Sequence, residues 1–152
     1  MDLHSFLLES RQEIIAEAAA SLKRAHLEHY EKAGAGQLCQ RLDNLLSLTL
    51  AAVAERNLAP MVAHANAVAQ ERFDGGFDLS EVQTAFNVLE EAVWLRILKR
   101  LPSPEQAEAL GLVSTVLGAG KDALARKYVS LATQARVPSL NLQALFSGTD
   151  GR

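Results

Sequence analysis

The sequence is poor in cysteine and has no long apolar segment. Cys39 is the only cysteine among 152 residues, so neither an intramolecular disulfide nor a metal site made of several cysteines can form. The first five residues have neither the basic nor the apolar region of a secretory signal peptide. No apolar run approaches the roughly 18 residues that a membrane-spanning helix needs. We therefore expect a cytoplasmic protein that does not enter a membrane.

Aromatic residues and prolines are also few. Aromatic side chains make up 5% of the chain, whereas apolar residues make up 49% and are mostly alanine and leucine, which favour helices over sheets. Three of the four prolines, Pro60, Pro102 and Pro104, lie where helices are expected to begin or end. The composition predicts an all-α fold, a single bundle of about five helices with long first and last helices.

The chain has no excess of positive charge. Lysine and arginine number 15 against 18 aspartates and glutamates, a net charge of −3. Nucleic-acid-binding domains concentrate lysine and arginine on one face. The pairs Lys23–Arg24 and Lys99–Arg100 are instead typical of exposed helix faces and helix C-termini. We expect no nucleic-acid partner.

Apolar residues recur at helical spacing along five segments, roughly 3–33, 38–56, 57–73, 78–101 and 103–136. The first segment is expected to be one long helix whose buried face contains Leu8, Ile15, Ala18, Leu22, Ala25 and His29. The fourth has its apolar face at Leu79, Val82, Phe86, Leu89, Val93 and Ile97. The fifth contains Gly111, Gly118 and Gly120, which allow close helix packing or mark a kink.

Pro138 is expected to end the fifth helix, which divides the chain into a bundle domain over residues 1–137 and a tail over 138–152. The tail has one apolar edge, formed by Leu140, Leu142, Leu145 and Phe146. We predict that this edge contacts a protein partner or docks on the bundle.

One pattern of residues runs through most of the chain. It begins with Phe6-Leu7-Leu8-Glu9 and Ile14–Ile15, and continues with Arg72-x3-Gly76-Phe77-x-Leu79-x2-Val82 and then Phe86, Leu89 and Trp94. Over roughly residues 3–135 the chain resembles the N-terminal domain of RsbRD-type proteins, the input module of RsbT co-antagonists in bacterial stress signalling.

This resemblance implies a sensor or adaptor that passes its state to a protein partner, either a signalling kinase or a STAS-type regulator. In the multidomain members an output domain follows the bundle, whereas only about fifteen residues follow the last helix here. We therefore expect a free-standing signalling module that acts through protein contact, as a homodimer.

Three residues are candidates for ligand binding. Arg72 precedes the glycine turn and could hold a carboxylate, His29 continues the apolar face of the first helix, and Trp94 lies one turn after Glu90. The alternative function is therefore a small-ligand or haem-binding sensor or carrier whose cavity is lined by His29, Arg72 or Trp94. In a haem-binding bundle, His29 or His64 would be the iron ligand.

No group of residues has the spacing of a catalytic or metal site. His26 and His29 lie one turn apart, but no carboxylate or thiolate accompanies them at ligand spacing. Glu90 and Glu91 are adjacent, so on a helix they point about 100° apart and cannot easily share a substrate. We expect no metal, no cofactor and no enzymatic activity.

Overall fold

The computed structural model describes the backbone of residues 2–140 and the side chains of residues 2–135. Within this part the chain forms seven α-helices and no strand. The helices are α1 (Leu3–Glu9), α2 (Arg11–Arg24), α3 (Glu28–Ala33), α4 (Ala35–Glu55), α5 (Ala59–Asp74), α6 (Leu79–Arg100) and α7 (Ser103–Leu140). The all-α prediction is confirmed here, whereas the expected number of about five helices is too low. In the same part of the chain, no helix has both the length and the apolar character needed to cross a membrane.

The prediction of one long helix over residues 3–33 is wrong, because α1, α2 and α3 occupy that segment. Ser10 separates α1 from α2 with φ −87° and ψ 1°. After α2, His26 adopts a left-handed backbone with φ 51° and Leu27 is extended. A non-glycine residue rarely adopts a positive φ. Leu22 and Tyr30 are buried on either side of this break, so tertiary packing stabilises a turn that the local sequence does not specify.

The buried face of the first segment begins one residue before the predicted one. Leu7 and Ile14 are fully buried, whereas Leu8 is 50% exposed and Ile15 is only partly buried. Ala25 was also expected in the core and is exposed next to the second break. Leu7 and Ile14 keep the seven-residue spacing that was predicted for Leu8 and Ile15, so the spacing was right and the residue at which the face begins was wrong.

The apolar face predicted for α6 packs into the core, with Val82, Phe86, Leu89, Val93 and Ile97 buried and Leu79 partly buried. The last helix packs on α5 and α6, and α2 also packs on α6. Six helices contribute the largest fully buried side chains, which include Leu7, Ile14, Leu42, Leu46, Met61, Leu89, Ile97, Leu117 and Leu124. Replacing any one of these with alanine is expected to cost about 2–5 kcal/mol of folding free energy.

One of the three α7 glycines faces the core. A Cβ atom at Gly120 would lie 2.8 Å from Cε2 of Phe86 and 3.0 Å from Sδ of Met61. A Cβ atom at Gly111 or Gly118 would have no atom of the described residues within 4 Å, outside its own helix. Gly120 therefore allows the close approach of α7 to α5 and α6, whereas the other two glycines contact no neighbouring helix in this part of the chain.

The last helix continues to Leu140, past Pro138, where we expected it to end. Proline removes one backbone donor and crowds the preceding turn, but this cost does not always end a helix. Of the four predicted contact residues, Leu142, Leu145 and Phe146 lie outside the described residues, as does the side chain of Leu140. Their contact with a partner stays a prediction, and so does the domain boundary at residue 137.

Candidate functional site

The turn between α5 and α6 positions the candidate site. Gly76 has φ 82°, a conformation that glycine adopts without steric strain. The N–H of Phe77 donates to the carbonyl oxygen of Arg72 at 2.9 Å, and the N–H of Gly76 donates to that of Phe73 at 3.1 Å. These are the two hydrogen bonds of a Schellman cap. The cap places the ring of Phe77 against the last turn of α5.

Arg72 is buried in this last turn, with a side chain that is 7% exposed. Its Nη1 atom lies 2.7 Å from Oε1 of Glu71, and its guanidinium carbon lies 5.5 Å from the centroid of the Phe77 ring. Its Nε atom is buried, and no atom of the described residues accepts a hydrogen bond from it. A buried donor without an acceptor is costly, so a favourable position at a helix C-terminus does not by itself account for Arg72.

A second arginine, Arg41 of α4, lies on the same aromatic ring. Its guanidinium carbon is 5.8 Å from the ring centroid of Phe77 and 5.8 Å from that of Tyr30. Its Nη1 atom is also buried and has no acceptor among the described residues. Burial lowers the pKa of Arg41, and the positive charge of Arg72 lowers it further. The positive charges of the two arginines therefore repel each other at a partly buried site.

Both arginines line an open cavity of about 260 Å³. Its polar lining also includes Tyr30, His64 and Glu71. Its apolar lining is formed by Leu22, Leu38, Leu42, Leu45, Val68, Val82, Ala85 and Phe86. A concave site that combines mostly apolar walls with a few convergent polar groups is typical of small-molecule binding.

Tyr30 and His64 also line the cavity, and their pKa values are shifted in opposite directions. Burial raises the pKa of Tyr30 above its ordinary 10.0, although the charge of Arg72 opposes the shift. Burial lowers the pKa of His64 below its ordinary 6.5, and the charge of Arg72 adds to the shift. At neutral pH the Tyr30 hydroxyl and the His64 imidazole are therefore uncharged hydrogen-bonding groups, and the arginines supply the positive charge.

His29 lies beside the cavity without lining it. Its ring packs on Phe77 with the two centroids 4.7 Å apart. Its Nδ1 atom lies 2.8 Å from Oε1 of Glu81, a buried carboxylate in the first turn of α6. Glu81 also accepts a hydrogen bond of 3.0 Å from the N–H of Asp78. His29 thus connects α3 to the start of α6.

Trp94 lies on the outer face of α6 and is 40% exposed, and Leu98 one turn later is 51% exposed. Phe86 is the last residue of α6 that lines the cavity, and Trp94 is about 12 Å farther along the helix axis. The three residues predicted to bind a ligand are therefore not brought together. Arg72 lines the cavity, His29 lies next to it, and Trp94 is on the surface.

Sequence reasoning did not identify Arg41 and Tyr30 as site residues. Arg41 lies between Leu38 and Leu42, two buried residues on the apolar face of α4. A charged residue on such a face is a signal of function that the sequence does contain. The sequence around Tyr30 contains no comparable signal of function. The arginines near Tyr30 lie on other helices, α4 and α5.

The lining residues do not resemble a metal site. Within residues 2–135, no three histidine, cysteine, aspartate or glutamate side chains lie together as possible metal ligands. His64 shares the cavity with the two arginines, whose positive charges repel a cation. The arrangement of donors is suited to an acceptor-rich, negatively charged group.

A family profile described as RsbT co-antagonist protein rsbRD N-terminal domain matches residues 11–137 of the chain. The matched range contains the α5–α6 turn and every residue that lines the cavity. No curated protein and no solved structure matches the chain significantly. Because the profile covers well over half of the sequence, the chain belongs to the RsbRD N-terminal domain family.

Proposed function

We propose that this domain is a non-enzymatic cytoplasmic sensor that changes its helix packing in response to a signal and reports the change through protein contact. Its family makes it a stress-signalling regulatory domain. The proposed partner is a signalling kinase or a STAS-type regulator, and the proposed working form is a homodimer. The observation that supports contact is an exposed apolar surface on α6, formed by Trp94, Leu95 and Leu98 and called here the α6 stripe.

The composition of the α6 stripe is typical of a contact surface. Trp94 and Leu98 lie one helical turn apart, and both are large side chains in contact with water. Tryptophan is enriched at binding hot spots because it buries a large area with little loss of rotamer freedom. Covering the stripe would contribute about 25 cal/mol for each Å² of apolar surface removed from water. Neighbouring exposed apolar residues indicate an interaction site more strongly than single ones do.

The charges beside the stripe fit a second copy of this chain. Glu91 and Lys99 are both exposed and lie four residues before and after Leu95. If two α6 helices pack antiparallel about a two-fold axis beside Leu95, Glu91 of each copy faces Lys99 of the other. A two-fold interface uses the same surface of both subunits, and this pairing places opposite charges at both ends of an apolar centre.

Sedimentation equilibrium tests this arrangement. We expect the wild-type chain to be a dimer and the double variant Trp94→Gln, Leu98→Gln to be a monomer. Val129→Gln is the matched control, because Val129 is 63% exposed on α7 and lies outside the stripe. A wild-type monomer at concentrations up to about 100 μM, or a dimer that survives the double substitution, would reject the α6 stripe as the dimer surface.

Charge reversal tests the antiparallel geometry separately. Glu91→Lys alone and Lys99→Glu alone should each weaken the dimer, because each places like charges opposite one another. The variant that carries both changes should recover wild-type association. If the two effects simply add, the residues do not face each other across the axis.

The link from association to signalling is tested in cells. We expect the monomeric double variant to change the stress-response output that the wild-type domain sets, while Val129→Gln leaves it at the wild-type level. An output that is the same for all three proteins would contradict regulation through this surface.

A further inference from the structure

Arg41 and Arg72 line the cavity, and neither residue belongs to the α6 stripe. From its geometry we propose that the cavity binds a small organic anion, with an oxyanion head bonded to Arg41 and Arg72 and a short apolar body on the surrounding leucine and phenylalanine side chains. Only the role of this anion as the signal rests on the proposed function. Binding itself does not depend on dimerisation, so either proposal can fail alone.

The first support is the pair of unused donors. Nη1 of Arg41 and Nε of Arg72 are buried, and no atom of the described residues accepts a hydrogen bond from either. Arg96 of the same bundle also has a buried Nε atom without an acceptor among the described residues, but both of its Nη atoms lie beside carboxylates, Nη1 at 2.7 Å from Glu13 and Nη2 at 3.3 Å from Glu17. A bound carboxylate or phosphate would give the cavity arginines a comparable partner.

The second support is the balance of charge in the cavity. Arg41 and Arg72 contribute two positive charges, and Glu71 is the only acidic residue among the lining residues. Glu71 binds Nη1 of Arg72, but its side chain is 70% exposed. It therefore lies in water at the edge of the site, and Nε of Arg72 stays without an acceptor among the described residues. The cavity carries a net positive charge that a bound anion would neutralise.

The third support is the way in which the arginines are held. Both guanidinium carbons lie within 6 Å of the Phe77 ring centroid, and the ring is fixed by the cap that follows α5. An aromatic face stabilises a guanidinium without using its N–H donors. The arginines are thus positioned in advance and keep donors for a ligand, which lowers the entropic cost of binding.

The size and the walls of the cavity limit the ligand. A volume of about 260 Å³ lies just below the range typical of drug-sized molecules, so the site suits a small metabolite. Leu38, Leu42, Val82 and Phe86 provide apolar surface near the arginines. Inorganic phosphate or acetate would leave this surface uncovered, whereas an anion with a short carbon chain would cover it.

Three probes with the same six-carbon body separate head-group chemistry from apolar binding. Hexanoate presents a carboxylate, hexyl phosphate presents a phosphate, and 1-hexanol presents no charge. In calorimetric titrations of the full chain, we expect at least one of the two anions to bind with a Kd of about 1 mM or lower. We expect 1-hexanol to bind about tenfold more weakly or not at all. The anion that binds more tightly identifies the preferred head group, carboxylate or phosphate.

The site is tested by replacing one arginine of the cavity and, as a control, one exposed arginine outside it. Arg72 is deeply buried and its replacement could unfold the domain, so Arg41→Gln at a half-buried residue is the main test. Removing one charge-assisted hydrogen bond to the anion should raise the Kd about tenfold. Arg126→Gln is the control, because Arg126 is an exposed residue of α7 outside the cavity. It should leave the Kd within about twofold of the wild-type value.

The Nε–Hε resonance of Arg72 provides a readout at the site itself. In wild-type protein the better anion should shift this resonance, since Nε of Arg72 has no acceptor among the described residues. The proposal is overturned if neither anion binds up to about 10 mM, if 1-hexanol binds as tightly as the anions, or if Arg41→Gln and Arg126→Gln have equal effects. Binding that leaves the Arg72 resonance unchanged would also overturn it.

Discussion

Nδ1 of His29 lies 2.8 Å from Oε1 of Glu81, although 52 positions separate the two residues in the sequence. The carboxylate is buried, and it also accepts hydrogen bonds from the backbone N–H of Asp78 at 3.0 Å and of His29 at 3.3 Å. The Glu81 side chain therefore caps the start of α6 and also binds His29 of α3.

Glu81→Gln should lower the free energy of unfolding by about 1–3 kcal/mol, because the amide accepts fewer hydrogen bonds and loses its charge at a helix N-terminus. Urea unfolding monitored by circular dichroism measures the change. The exposed Glu55 of α4 provides a control, since Glu55→Gln should stay within about 0.5 kcal/mol of wild type. Equal stability of the two variants would show that the His29–Glu81 contact contributes nothing.

Gly120→Ala and Gly111→Ala should change stability in opposite directions. The Cβ atom at residue 120 would collide with Phe86 at 2.8 Å, and overpacking of this kind costs about 1–3 kcal/mol. At residue 111 there is open space, so alanine should stabilise the helix by about 0.5–1 kcal/mol. Thermal unfolding of the two variants measures both changes in stability. A stabilising Gly120→Ala would mean that α7 lies farther from α5 and α6 than described.

Arg11, the first residue of α2, binds two residues of α4. Its Nε lies 2.7 Å from Oδ1 of Asp43, and Nη2 donates to Oγ of Ser47. The Arg11 hydrogen bond lowers the pKa of Asp43 below its ordinary 3.8. The stabilisation is therefore complete above about pH 4 and is lost as the pH falls through the lower, folded-state pKa.

Arg11→Gln should return the pKa of Asp43 toward its ordinary value and lower the free energy of unfolding at neutral pH by up to about 1 kcal/mol, since the pair is partly exposed. An NMR titration of the Asp43 carboxyl carbon measures the first effect. If the Asp43 pKa is the same in wild type and variant, the ion pair is not populated in solution.

His64 should make the domain less stable in mild acid. Burial and the charge of Arg72 lower its pKa below 6.5 in the folded state, so below that pH the unfolded chain binds the proton more readily. Stability therefore falls as the pH drops from 6.5 toward the folded-state pKa. We expect His64→Gln to reduce the difference in urea midpoint between about pH 7.5 and about pH 5.5. An identical difference in wild type and variant would contradict this assignment.

The predicted buried faces were correct where a helix runs without interruption. The apolar positions of α6 keep one 3.6-residue period from Val82 to Ile97, and these residues are buried. The breaks around Ser10 and His26 could not be predicted in this way, because neither involves a glycine or a proline. At the second break, Leu22 and Tyr30 are buried on either side of His26, and their burial depends on other helices.

The candidate site was only partly visible in the sequence for the same reason. The Arg72–Gly76–Phe77 turn is local, so residue types and spacing were enough to predict it. The meeting of Arg72 with Arg41 depends on how α4 packs beside α5, and no short-range pattern records that distance. His29 was predicted from the apolar face of a helix that does not continue, and its observed partner Glu81 lies on α6.

Phe77 immediately precedes the N-cap residue of α6, and its ring is in contact with both cavity arginines. With 22 residues, α6 is a lever arm about 33 Å long. A rotation of about 5° at its Phe77 end would carry the opposite end through about 3 Å. Because Ile97 is fully buried near that end and Arg96 binds Glu13 and Glu17 of α2, such a rotation of α6 would have to carry α2 with it.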